Sequence, residues 1–314
     1  MISYLKHYEI DKARWDRCIS QSLDRRVYAF SWYLDIVSPA WEALVSDNYS
    51  SVFPLTPGRK AGINYLFQPY FAQQLGLFSL NPIDKEDADR FMNCIPSRFR
   101  YVDIQVTPGF VPGGEDTMLI PRANHELDLG GTYEEIVAGF SQNTRRNIRK
   151  AMDSGVNTGR NLRPEELVRL FRENFGKREG KLNDIHYQRM EKLMATAAER
   201  GSGHVRGAFD EEGLLSSAAF FLNDGARVYF LFAASAPPAR ENGAMFLLIE
   251  QFIKENAGAN LILDFEGGDD PNLGRFYKSF GAREILYHRV LRNRLPGLMK
   301  AGLMLGRMIR ERVK

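Results

Sequence analysis

The chain has 314 residues, 44% hydrophobic and 26% charged, with a net charge of +3. That length suits one large domain or two ordinary ones, the composition excludes a disordered chain, and the charge is too small to indicate DNA as a partner. Cys18 and Cys94 are too few and too far apart for a disulfide framework or a zinc site, and no apolar run is long enough to span a bilayer.

In chain order, helical spacing predicts helices near 11–20 and 30–38. Strands are expected near 41–47, 50–55 and 62–68, with a turn at Pro57-Gly58 between the last two. A helix over about 84–94 follows Pro82, and strands near 99–106 and 116–120 close the first half. Leu129-Gly130-Gly131 marks the change of half. Thr132-Tyr-Glu-Glu135 is a capping box that opens a helix, and a second helical stretch covers 143–152. Pro164 opens a third helix and 185–200 makes a fourth. The period then changes to two. Strands over 204–209, 214–222 and 227–234 are separated by Glu-Glu-Gly and Asn-Asp-Gly, both hairpin-turn chemistry. Helix 244–256, strand 260–266, helix 272–280 and strand 283–291 complete the order. The division this suggests is residues 1–129, residues 130–294, and a basic amphipathic helix within 295–314. No export signal is visible at the N-terminus, and a cytoplasmic location is expected.

Four stretches carry chemistry. Glu266 ends an apolar strand and Tyr277 lies on the helix after it, at the end of a sheet where ligands tend to sit. A phenol there can protonate a leaving group and a carboxylate can accept a proton from an amine; equally, Tyr277 can be core and Glu266 a helix cap. Arg240, Asn242, Gly243 and Ala244 lie between a strand and its helix, a place suited either to binding phosphate on backbone N–H groups or to an ordinary turn. Arg145 and Arg149, like Arg146 and Lys150, are four apart on one helix, so the cations form either a phosphate-binding wall or a solvated face. Gln68 and Tyr70 end a strand, where they could line a pocket for a polar acceptor or close a packed turn. The tail 298–314 is suited either to anionic lipid, as a peripheral membrane contact, or to packing on its own protein. The five histidines lack ligand spacing, so no metal is expected.

Residues 260–282, with Phe276-Tyr277 and Gly281, resemble the last strand–helix unit of GNAT-type acyltransferases, whose Phe-Tyr-x-x-x-Gly helix lies beside an acyl-CoA thioester. They resemble more closely the second domain of Fem-type acyl and aminoacyl transferases, in which two GNAT units are fused. Ser141–Ala151 is similar to the Fem-type segment that opens the second domain, and Gln68–Gly76 to another recurrent segment. The resemblance implies an α+β fold of two GNAT-like units, each a mixed, mostly antiparallel sheet flanked by helices. It implies transfer of an acyl or aminoacyl group from acyl-CoA or aminoacyl-tRNA to an amine on a small molecule or cell-wall precursor. Tyr277 and Glu266 would be catalytic, Arg240 to Ala244 would grip the donor, and tRNA would be a partner in the aminoacyl case. Met245 departs from the family pattern, which has Gly or Ala there. That departure keeps open an inactive pair serving as a binding or scaffold module.

Overall fold

The computed structural model describes residues 1–176, 182–237 and 239–297. The helix expected over 298–314 lies outside the described residues. The chain forms two compact units, one made of Met1–Pro121 with the described residues from Tyr287 onward, the other of Arg122–Leu286.

In the first unit, β1 (Ile2–Leu5), β2 (Glu42–Ser46), β3 (Ser51–Leu55) and a later short strand, Phe78–Ser79, make one antiparallel sheet. β4 (Pro57–Lys60) and β5 (Ile63–Phe67) form a hairpin. The turn is Ala61-Gly62, both at positive φ, as two-residue hairpin loops require. Pro57-Gly58 is therefore the start of a strand rather than the expected turn; proline is tolerated at the first residue of an edge strand, where its missing N–H costs little. With Phe78–Ser79 as β6, the next strand is β7 (Phe99–Val106), which runs parallel to β5 after the crossover helix Lys85–Cys94. Asp84 caps that helix by accepting from the Asp87 N–H.

The second unit begins within β8 (Thr117–Asp128), a single twelve-residue strand. It continues through β9 (Asn157–Leu162), β10 (Gly203–Phe209), β11 (Leu215–Asn223), β12 (Arg227–Ser235) and β13 (Ile262–Asp264). Its strand order is β8-β13-β12-β11-β10-β9, antiparallel except for β12 with β13. Helix Ala244–Asn256 is the crossover that this parallel pair needs. β11 is buried from Ser216 to Leu222 and reads as a near-continuous apolar run, the pattern of a strand covered on both faces. Phe221 of β11 stacks on Phe252 of the crossover helix with ring centroids 4.0 Å apart, tying sheet to helix.

The last strand, β14 (Arg283–Asn293), pairs antiparallel with β7 from His288 to Asn293. Arg289 lays its guanidinium on Asp103 of β7 at 2.5 and 2.6 Å. Residues from Tyr287 onward thus belong with the first unit, not with 130–294 as expected, and the other division falls at 121/122 rather than at the two glycines. The predicted strand 260–266 is shorter, because Glu266 has left the extended region (φ 55).

Candidate active site

The second unit holds a cavity of about 750 Å³, within the range of small-molecule sites. It opens where two neighbouring strands part. β12 pairs with β13 only over Arg227–Tyr229, then runs on to Ser235, while β13 stops at Asp264. From Phe230 onward that edge of β12 lines the cavity. The opposite wall is the helix Pro271–Lys278, which contributes Leu273, Phe276 and Tyr277. Asp270 starts this helix by accepting from the N–H groups of Asn272 and Leu273, with Pro271 at the first helical position. Gly281, at φ 84, follows its end.

Glu266 and Tyr277 both line this cavity, so the structure brings the two together. Tyr277 is 7% exposed and stacks on Phe265 at 4.8 Å. Burial raises its pKa well above the usual phenol range, and the carboxylates of Glu266, Asp264 and Asp270 add to the shift by repelling a phenolate. The hydroxyl is therefore held protonated through neutral pH, the state a proton donor needs.

Glu266 is positioned by strained backbone. It, Gly267 (φ 149) and Gly268 (φ 144) are three successive residues at positive φ, and such conformations persist where surrounding contacts over-determine them. Three side chains do so here. Asp264 accepts from the Glu266 N–H at 2.9 Å, Asn124 accepts from the Gly267 N–H at 3.0 Å, and the Asn124 amide donates to Asp264 at 2.9 Å. His125 contacts the Gly267 carbonyl through Nδ1 at 2.8 Å. A carbonyl only accepts, so Nδ1 carries the proton. The His125 ring is 1% exposed and its centroid lies 5.9 Å from that of Tyr277. A Cβ on Gly268 would lie 2.2 Å from His125 Nδ1 and Cε1, so only glycine fits. Asn124 and His125 were not identified from sequence. No local signal marks them, since His125 is 142 positions away from Gly267.

Gly243 lines the cavity, and its φ of 76 places it against helix Gln142–Asp153, where a Cβ would lie 2.4 Å from the Asn147 carbonyl oxygen. Asn242 turns its side-chain oxygen onto the Ala244 N–H at 3.0 Å, and Ala244 is buried, so both shape the start of helix Ala244–Asn256. Arg240 lies in the short helix Ala239–Asn242. Met245 is on the cavity wall and packs against the core.

The basic helix divides by role. Arg145 is drawn out of the expected cationic wall: its guanidinium donates to the carbonyls of Val137, Ala138 and Phe140, which satisfies the end of helix Tyr133–Ala138. Arg146 and Arg149 are exposed, and Arg146 donates to Asn143 at 2.9 Å. Gln68 and Tyr70 lie in the first unit and are not among the residues lining this cavity. Gln68 closes its own turn, donating to the Ala72 carbonyl at 2.5 Å and accepting from the Gln105 N–H at 2.8 Å. Its amide is spent on backbone, which supports the packed-turn reading over an acceptor pocket. Tyr70 is 44% exposed beside Phe71. Among the described residues no group of His, Cys, Asp and Glu is placed to hold a metal ion, and no helix is long and apolar enough to cross a membrane.

Comparison with known proteins agrees with this geometry. Residues 138–279, which carry the cavity, match the acetyltransferase (GNAT) domain family. Among solved structures, FemX superposes with a TM-score of 0.65 at 14% identity, covering 96% of this chain and 99% of its own. A conserved protein of unknown function from Bacteroides thetaiotaomicron gives 0.60 at 12% identity (93% and 100%), and L-PGS from Bacillus licheniformis gives 0.53 at 10% (95% and 97%). At these identities the likeness concerns the fold. A search of curated proteins by sequence finds no match. The sequence match to the GNAT acetyltransferase domain family is thus confined to residues 138–279. As a whole it has the Fem-type fold.

Proposed function

We propose that the protein transfers an acyl group from a CoA thioester to an amine at the cavity of the second unit. The observation that carries this reading is the pairing of a carboxylate, Glu266, with a phenol held protonated, Tyr277, on the walls of one cavity at a parted strand edge. The amine nitrogen attacks the thioester carbonyl carbon. The new N–C bond forms and the C–S bond breaks, the amine's surplus proton passes to Glu266 directly or through water, and Tyr277 gives its proton to the departing sulfur. An amide and free CoA result. The β12 edge from Phe230 to Ser235 offers backbone groups to an extended pantetheine arm, by the same logic as strand addition to an exposed edge. Arg146 and Arg149 stand on the helix whose Asn147 carbonyl meets Gly243, beside the donor loop, and suit the phosphate end of the donor. A tRNA donor would use the same cations, and the two are separated by binding: CoA titrates directly, whereas tRNA binding falls steeply with salt. The test is release of free thiol from acyl-CoA in the presence of an amine panel. Amine-dependent thiol release supports the reading. Failure of any CoA thioester to bind or react overturns it and favours a binding or scaffold role.

A further inference from the structure

The cavity is built for more than an acetyl group. Its walls are formed by Phe171, Phe230, Phe246, Phe276, Leu231 and Met245, and Leu273 stands at 45% exposure on the helix wall. The polar side chains among the described lining residues are few, and those of Asn174, Ser235 and Asn272 each make a hydrogen bond within the protein. Asn174 donates to the Leu170 carbonyl at 2.9 Å, the Ser235 hydroxyl pairs with Ser217 at 2.8 Å, and Asn272 accepts from Arg275. Glu266 is the only ionisable side chain besides Tyr277 among them. An aminoacyl group would bring an ammonium ion into this space, where the one charged partner among the described lining residues is the carboxylate that has to receive the proton. With the pantetheine arm on the β12 edge, an acetyl group would still leave the apolar wall of Met245, Leu273 and Phe276 facing water.

We infer that this cavity selects a donor carrying an aliphatic acyl chain several carbons longer than acetyl, with the pantetheine arm along the β12 edge and the chain against Met245 and against Leu273 and Phe276 of the helix Pro271–Lys278. This rests on the transfer reading above and names its substrate class. The chemistry is unchanged: the thioester carbon still lies by Glu266 and Tyr277, and the added methylenes take the apolar space. Met245 has a place in this account, since a flexible thioether fills irregular gaps around an apolar ligand.

The experiment is a binding titration of CoA, acetyl-CoA, butyryl-CoA and octanoyl-CoA, which needs no knowledge of the amine, followed by kcat/KM for each with an amine that supports turnover. Each buried methylene is worth roughly fourfold in affinity, so octanoyl-CoA should bind at least about a hundredfold more tightly than acetyl-CoA even with partial burial. Two variants then test the location. Met245→Gln makes one apolar wall polar at nearly unchanged volume, and Leu273→Asp puts a charge on the half-exposed helix wall, where the fold tolerates it. Each should lower the octanoyl-to-acetyl affinity ratio by tenfold or more while a melting curve confirms folding. Acetyl-CoA binding and reacting as well as octanoyl-CoA would overturn the inference and leave the transfer reading standing. Preference for octanoyl-CoA that neither folded variant alters would overturn the assignment of the chain to this cavity. If no thioester binds or reacts, both readings fall.

Discussion

Replacing Gly268 by alanine tests whether the strained loop under Glu266 is held by His125. The added Cβ would lie 2.2 Å from two ring atoms of His125, which is 1% exposed and already bonded to the Gly267 carbonyl. Helix Pro271–Lys278 also crowds the ring, for a Cβ on Gly274 would lie 3.4 Å from its Cε1. It has little room to retreat. Overpacking of this kind costs about 1–3 kcal/mol, and a non-glycine residue at φ 144 adds about 1–3 kcal/mol of backbone strain. The sum, roughly 2–6 kcal/mol, is a large fraction of the 5–15 kcal/mol that typically holds a domain together. Gly267→Ala is the internal control. Its φ is 149, but nothing lies within 4 Å of its Cβ position, so it carries the strain without the collision. Chemical denaturation of both variants should show Gly268→Ala the less stable by about 1–3 kcal/mol. Adding His125→Ala to Gly268→Ala should return part of that difference as a coupling energy. Equal stability of the two glycine variants, or no coupling with His125, would refute the packing argument.

Other outcomes follow from the same geometry. Arg145→Ala should cost about 1 kcal/mol of stability, because it uncaps three carbonyls, and should leave the affinity for CoA close to wild type. Arg146→Ala with Arg149→Ala should do the reverse, since exposed cations contribute about 0–1 kcal/mol to folding; unchanged CoA binding in that double variant would return these residues to the solvent. His204 is held down to about 4, chiefly by burial and then by Arg206 and Arg160 nearby. It is neutral in the fold and protonates more readily when unfolded, so stability is full above pH 6.5 and falls as the pH drops from there towards 4. His204→Gln should shallow that fall, as read by melting temperature against pH, and an unchanged slope would contradict the assignment.

Much of this fold could be read from local signals. The capping box at Thr132 and the Asn-Asp-Gly turn at 223–225 act over a few residues, and each sits where it was expected. Glu266 and Tyr277 were legible for the same reason: a strand end, a cap and a short helix are consecutive in the chain. What escaped depends on distant partners. β9 is a polar edge strand, Asn-Thr-Gly-Arg-Asn-Leu, and exists because β10 pairs with it rather than because of its own pattern. Arg145 looked like a member of a cationic face, yet the end of the preceding helix offers it three carbonyls. His125 acquires its place only when β8 lies against β13 and brings it beneath Gly267 and beside Tyr277.

In the proposed reaction the Tyr277 hydroxyl protonates the leaving thiolate. Tyr277→Phe keeps the ring and its stacking on Phe265 at 4.8 Å, and removes only the group in question. The measurement is single-turnover amide formation from a bound acyl-CoA, with donor affinity and melting temperature determined on the same protein. The account predicts a fall of about 10²–10⁴-fold in the chemical step, with donor affinity and stability near wild type. A turnover rate equal to wild type, with or without a drop in melting temperature, would contradict it and make the hydroxyl a part of the core.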